Sequence, residues 1–233
     1  MATDERYARQ IMLAGFGEEG QRRLREASVL VVGVGGLGSA AATCLAAAGV
    51  GHIGLADPDV VSLSNLQRQT LYTTAEVGLS KTECARRRLE AINPGVRFTM
   101  HPEGITPQNA KALAEAYDLM VDCTDNYAAR YLMDDACAAA GKPWVHGSIG
   151  EFQGHVAVMN HLRGRRYTHL FPDREALCAQ PRITAGVLGA VPATIGAIEA
   201  NEAIKLLTRI GEPLDGRLFC LNLLTLESFT LDF

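Results

Sequence analysis

A glycine-rich turn between a strand and a helix constrains this 233-residue chain more than any other feature. Apolar residues at 29–32 run into Gly33-Val34-Gly35-Gly36-Leu37-Gly38. A helical stretch then carries to Ala48, and a second strand ends at Asp57, nineteen residues past the last glycine. Glycines allow the tight turn and let backbone N–H groups approach phosphates at the start of the helix. Asp57 stands where an acidic side chain accepts hydrogen bonds from ribose hydroxyls. A nucleotide-binding βαβ unit is the expectation. Taken alone, the pattern fits a nicotinamide-dependent oxidoreductase at least as well as anything else.

The continuation changes that balance. Asp59, Ser64-Asn65-Leu66-Gln67-Arg68-Gln69 and Lys81 follow. A dehydrogenase cradles a pyrophosphate mainly with backbone and needs no cluster of cations there. Asn65, Arg68 and Lys81 together suit a triphosphate, whose extra negative charge calls for Arg and Lys. Downstream, residues 121–126 read Val-Asp-Cys-Thr-Asp-Asn and close another strand, which places Asp125 at the carboxyl edge of the same sheet. Ligands of open α/β sheets bind at that edge. An acidic residue facing a triphosphate there is a natural holder of magnesium.

The rest of the chain alternates in the same way. Strands are expected at 29–32, 53–57, 96–101, 118–123 and 143–147, with helices at 37–48, 80–92, 107–116, 126–140 and 190–208. A helical pattern opens the chain at 4–27, broken at 15–20, and a polar short-helix region lies at 63–71. An antiparallel partner near 153–160 and final strands at 217–223 and 226–231 complete the series. Such alternation predicts an α/β fold: a Rossmann-like, mostly parallel sheet with helices on both faces, extended by antiparallel strands in the C-terminal part. One domain over 1–233 is expected, with an aperiodic long loop at about 161–186.

Composition agrees without demanding this. A net charge of −4 gives no electrostatic case for nucleic acid or a membrane surface. The segment MATDERYARQ is charged and lacks an apolar run, so no signal peptide is expected. No stretch is long and apolar enough for a convincing membrane span, the nearest, 186–207, being interrupted by Pro192, Glu199, Asn201 and Glu202. Six cysteines scattered without pairing motifs suit a reducing cytoplasm.

The ordered set Arg9-Gln10-Ile11, GVGGLG at 33–38, AGVG at 48–51, DPD at 57–59, SLSNLQRQ at 62–69, Lys81, INP at 92–94, DCTDN at 122–126 and TAGV at 184–187 resembles the ThiF/MoeB/HesA family. These are bacterial relatives of the ubiquitin-activating enzymes, and the resemblance runs from about Tyr7 to Leu207. It implies ATP-dependent adenylation of the C-terminal Gly-Gly carboxylate of a ubiquitin-like sulfur-carrier protein, with release of pyrophosphate. It further implies phosphate contacts from Arg68 and Lys81, a polar contact from Asn65 and ribose binding by Asp57. Gly33, Gly35, Gly36, Gly38, Asp59, Gln69 and Asn126 would complete the nucleotide site, and Asp125 would organise magnesium. In relatives the arginine matching Arg9 enters the partner subunit's ATP site, so a homodimer is implied.

Three departures concern the steps after adenylation. Many relatives bind a structural zinc through two C-x-x-C pairs. Here the first pair's region reads Arg166-Tyr167-Thr168-His169, and the second has no counterpart up to Phe233. Such a site needs four ligands, so no structural zinc is expected, and the spacing of His161, His169 and Cys178 does not improvise one. Relatives also place a cysteine four positions before the Gly of the A-G-V phrase, where this chain has Arg182. Cys178 in the same loop is the candidate replacement nucleophile, with Arg174 and Arg182 near enough to favour a thiolate. A lone loop cysteine is more often incidental, and a separate sulfur-donor protein could attack the acyl-adenylate instead. Two other classes remain open. One is the NAD-dependent oxidoreductase, in which Arg68, Lys81 and Asp125 have no role. The other is a catalytically reduced family member that only docks a carrier. Activation of a tRNA-base carboxylate is a further branch, less favoured by the acidic balance and the SNLQRQ wording.

Overall fold

In the computed structural model, which describes residues 2–180 and 186–233, helices α1 (Ala2–Ile11) and α2 (Gly17–Glu26) precede β1 (Ser28–Val32), α3 (Gly36–Ala48) and β2 (His52–Ala56). Next come α4 (Lys81–Ile92), β3 (Arg97–His101), α5 (Ala110–Ala116), β4 (Leu119–Asp122), α6 (Tyr127–Ala140) and β5 (Trp144–Gly150). The chain continues through β6 (Gln153–Met159), α7 (Tyr167–Leu170), α8 (Arg174–Ala179), α9 (Ala190–Thr208), β7 (Arg217–Asn222) and β8 (Ser228–Asp232). Among the described residues the strands form one eight-stranded sheet in the order β3-β2-β1-β4-β5-β6-β7-β8. The first five run parallel and the last three antiparallel.

The order reverses between β1 and β4, and this reversal opens a crevice at the strands' carboxyl ends. Strands β1 and β4 are apolar almost throughout because both faces are covered. Val29 and Val31 join Ile53, Leu55, Leu119 and Val121 in a core beneath α3, α4 and α9. Leu30 and Val32 join Met120, Trp144 and Tyr131 in a second core under α5 and α6. Helix α9 presses unusually close to α3: a side chain at Gly196 would meet the Leu37 carbonyl oxygen at 2.3 Å, and one at Gly36 would meet Pro192 at 2.9 Å. That contact seats the start of α3 on the body of the fold.

The expected aperiodic loop differs from what is seen. It holds α7 and α8, anchored by the fully buried Tyr167, whose ring packs edge-on against Tyr131 at 5.1 Å between centroids. Asp134 accepts the Tyr167 N–H at 3.0 Å and Arg166 Nε at 3.0 Å, so an ion pair and an aromatic cluster hold this segment. Arg182 and the phrase at 184–185 lie outside the described residues. No helix among those described is long and apolar enough to cross a membrane.

Candidate nucleotide-binding site

The glycine turn is shaped by contacts that exclude larger residues. Gly33 sits at φ +88°, and a side chain there would meet the Cys123 carbonyl oxygen at 2.6 Å. A side chain at Gly38 would lie 2.0 Å from the Gly33 carbonyl oxygen, so this glycine lets α3 start hard against the turn rather than touching a ligand. The turn is clamped through Val34. Its N–H donates to Asp57 Oδ2 at 2.7 Å, and its carbonyl accepts from the Tyr72 hydroxyl at 2.6 Å. Tyr72 carries no sequence signal of this role.

Around the turn lies a cleft of about 890 Å³, large enough for a nucleotide-sized ligand. Gly33, Gly35, Gly36, Asp57, Asp59, Arg68, Gln69, Lys81, Asp125, Asn126 and Cys178 all line it. Gly36 and Leu37 present the first turn of α3, whose leading N–H groups have no partner within the helix. Such a terminus favours an anion.

Asp57 leaves β2 buried, with Oδ1 accepting the Asp59 N–H at 2.9 Å. Burial pushes its carboxyl above the ordinary range, while Lys81 and the two backbone N–H groups pull it back. Lys81 begins α4 and is itself buried. Its Nζ lies 2.9 Å from Asp59 Oδ2 and 3.9 Å from Asp57 Oδ2. Cation and carboxylates thus form a compact group at the cleft wall. Arg68 reaches over Gly36 and donates to the Ser64 carbonyl at 3.2 Å. Gln69, which sits beside Gly35, is buried with its Oε1 unpartnered.

Across the cleft Asn126 caps α6, accepting the Ala129 N–H at 2.9 Å. Asp125 is thereby spared the capping role and stands exposed at the cleft lip. A magnesium ion that arrives with a nucleotide needs one or two protein carboxylates, the phosphates and water supplying the rest, and an exposed Asp125 meets that demand. Cys178, on α8, is exposed and reduced. Its neighbour Arg174 is committed to Asp135 at 2.6 Å and to the Tyr131 ring at 5.2 Å.

Three residues singled out in the sequence do not line the cleft. Gly38 has the packing role above. Asn65 is half-buried, and its carbonyl accepts the N–H groups of Arg68 and Gln69, both at 3.0 Å, shaping the turn that presents them. Arg9 is exposed on α1, a helix tied down by an Asn93 bond to the Tyr7 hydroxyl at 2.8 Å and a Gln10 bond to the Ala48 carbonyl at 2.8 Å. His161, His169 and Cys178 do not gather, and no three His, Cys, Asp or Glu side chains form a metal-binding group among the described residues.

Sequence reasoning missed the buried polar group beside the cleft. Asp122, Arg130, His146 and Glu199 are all buried, and Arg130 lines the cleft. Burial opposes the charge of Asp122, but Arg130, then His146 and the Thr124 hydroxyl outweigh it and hold the carboxyl below its usual range. Burial drives His146 down and His155 down to about 3, so both rings are neutral. Glu199 is pushed well up, first by burial and then by the Asp122 charge.

Comparison with known proteins points the same way. The ThiF family model matches residues 7–232. A protein named sulfur carrier protein adenylyltransferase, from Thermus thermophilus, is 47% identical over 220 residues, covering 92% of this chain and 81% of the relative. The probable adenylyltransferase/sulfurtransferase MoeZ of Mycobacterium tuberculosis is 44% identical over 231 residues. That match covers 97% of this chain but only 59% of MoeZ. The crystal structure of E. coli MccB with ATP superposes with a TM-score of 0.84 over 97% of this chain and 71% of that one. At 22% identity, that likeness speaks for the fold alone.

Proposed function

This chain belongs to the ThiF family, and we propose that it is an adenylyltransferase activating the C-terminal Gly-Gly carboxylate of a ubiquitin-like sulfur-carrier protein with ATP. One observation carries the reading. The glycine turn, Arg68, Lys81 and Asp125 converge on one cleft at the carboxyl edge of the sheet, although they lie far apart in the chain. An oxidoreductase would need the turn and Asp57 but would leave the two cations and Asp125 idle. The name of the Thermus thermophilus relative supports the same reaction.

The chemistry follows from charge. The carrier carboxylate attacks the α-phosphorus, the bond to the bridging oxygen of pyrophosphate breaks, and that electron pair leaves with pyrophosphate. Two anions must meet, so catalysis is mostly positioning and neutralisation. The first turn of α3 receives the phosphates through its backbone N–H groups. Arg68 and Lys81 counter their charge, Lys81 being shared between Asp59 and the incoming phosphate oxygens. Asp57 accepts from the ribose hydroxyls while continuing to hold the glycine turn, and Gln69 supports that turn beside Gly35. Magnesium held by Asp125 and the phosphates would supply further charge neutralisation during transfer. The attacking carboxylate is already ionised at neutral pH, so no general base is required.

The partners we assign are a Gly-Gly-ending carrier, a separate sulfur-donor protein and a second copy of the chain. Arg9 is exposed and lies off its own cleft, which suits a residue that acts across a homodimer. The setting is cytoplasmic, and Cys178 at the cleft wall is the candidate acceptor of the activated acyl group. The deciding experiment is ATP–pyrophosphate exchange with magnesium, with and without Gly-Gly-ending carriers, beside Asp125→Ala. Carrier-dependent exchange that disappears in Asp125→Ala supports adenylation. No exchange with any carrier despite ATP binding refutes it in favour of a different carboxylate substrate or a docking module. Separately, intact sulfur transfer by Cys178→Ser would exclude the covalent role.

A further inference from the structure

Thr124, the residue immediately before Asp125, has every polar group held by one buried ion pair. Its N–H and its hydroxyl both donate to Asp122 Oδ1, at 3.0 and 2.6 Å. Its carbonyl accepts from Arg130 Nη2 at 2.9 Å. Arg130 Nε lies 3.3 Å from Asp122 Oδ2, which closes a ring of Asp122, Thr124 and Arg130. Asp122 is fully buried and Arg130 is 7% exposed. The guanidinium also lies over the Tyr127 ring, 5.6 Å from its centroid.

The ring is braced from behind. His146 Nδ1 is 2.8 Å from Asp122 Oδ2, and His146 Nε2 is 3.1 Å from His155 Nε2. Two neutral imidazoles can share that contact in only one consistent order. His146 donates Nδ1–H to the carboxylate, so its Nε2 accepts the Nε2–H of His155. Every donor in the chain then points towards Asp122. A buried ion pair is poor value for stability alone, because desolvation cancels much of its attraction. What it does supply is geometry. A loop residue gripped at N–H, hydroxyl and carbonyl cannot rotate, and neither can the start of the residue after it.

We propose that Asp122 and Arg130, braced by His146 and His155, are positioning residues that aim Asp125 for adenylyl transfer. The proposal deepens the adenylation reading above and rests on it for the role of Asp125. The test uses the full chain with Thr124→Val, Thr124→Ser and Arg130→Met. Measurements are kcat and KM for ATP in pyrophosphate exchange, thermal midpoints, and manganese binding to the protein–ATP complex by electron paramagnetic resonance. Thr124→Val keeps shape and N–H but loses the hydroxyl. It should lower kcat about tenfold or more, leave KM for ATP within about threefold, and weaken manganese binding about tenfold when ATP is present. Thr124→Ser should recover most of both losses. Arg130→Met should show the same pattern more strongly if it folds, and Thr124→Val decides the matter if it does not. Wild-type kcat and manganese affinity in Thr124→Val would overturn the proposal. So would equal losses of kcat, ATP affinity and thermal midpoint in both Thr124 variants, which would mark a packing role. Failure of the wild type to exchange would instead refute the adenylation reading, and the manganese measurement would still decide this one.

Discussion

Glu199 should behave as a neutral acid, and replacing it with glutamine should change how stability depends on pH. Its carboxyl is fully buried on α9 against Gly147, where a side chain would meet Glu199 Cδ at 2.2 Å. Both oxygens lie 3.9 Å from Cys123 Sγ. Burial first, then the Asp122 charge, raise its pKa well above the ordinary value, against a smaller opposing pull from Arg130. In the unfolded chain the same group ionises near 4.3. Above that pH, folding must take up a proton, so this group's contribution is full below the unfolded pKa and is lost as pH rises towards the native one. The loss runs at about 1.4 kcal/mol per pH unit for one proton. Between pH 5 and pH 7 it amounts to about 2.6 kcal/mol for a group that stays protonated in the native state. Glutamine keeps the shape and binds no proton in either state. The advantage of Glu199→Gln over the parent should therefore grow by about 2.6 kcal/mol over that interval, or about 5–10 °C in thermal midpoint for a chain of this size. Urea and thermal unfolding at a series of pH values measure this directly. Parallel pH profiles for the two proteins would mean that Glu199 is ionised in the fold, and the reasoning would be wrong.

Three further outcomes are expected from the clamp and the charge group around the glycine turn. Tyr72→Phe removes the hydroxyl that donates to the buried Val34 carbonyl, which should cost about 1–3 kcal/mol in urea unfolding and weaken ATP binding measured by calorimetry. Gly38→Ala places a methyl 2.0 Å from the Gly33 carbonyl oxygen. Its unfolding free energy should drop by about 1–3 kcal/mol, and ATP binding should be lost even where the protein stays folded. Lys81→Met takes the cation from Asp57 and Asp59 and should slow pyrophosphate exchange by about 100-fold or more, ~2.7 kcal/mol. Without that cation the buried Asp57 carboxyl rises further, so the variant's stability deficit should shrink as pH falls and Asp57 takes up its proton. A deficit that is constant across pH would show that Lys81 does not hold Asp57 ionised.

The groups that line the cleft were legible because they sit where elements end. A strand must stop at Gly33, Asp57 or Asp125 for its edge to face a ligand, and glycine, proline and capping residues mark those stops within a few positions. The helix at 190–208 and the switch to antiparallel strands were equally open to view, since each rests on a local pattern of apolar residues. What supports the site was not legible, because its partners are joined by register and not by spacing. Asp122 ends β4 looking like any strand terminus, and only the pairing of Asp122 with His146 across β4 and β5 reveals its partner. Tyr72 lies 38 residues from the carbonyl it holds, and Glu199 lies 76 from Cys123. The segment at 161–186 failed for another reason: helices of 4 and 6 residues are too short to show a 3.6-residue period. The seating of α7 comes from Tyr167 and Arg166 reaching back to α6, contacts that no local window contains. The same division explains Asp57. Its place at the end of β2 announces a ribose-binding carboxylate, yet the fold also commits it to the N–H groups of Val34 and Asp59. With the ribose contact proposed for it, Asp57 would couple the turn to the ligand, so nucleotide binding should stiffen the turn through Asp57.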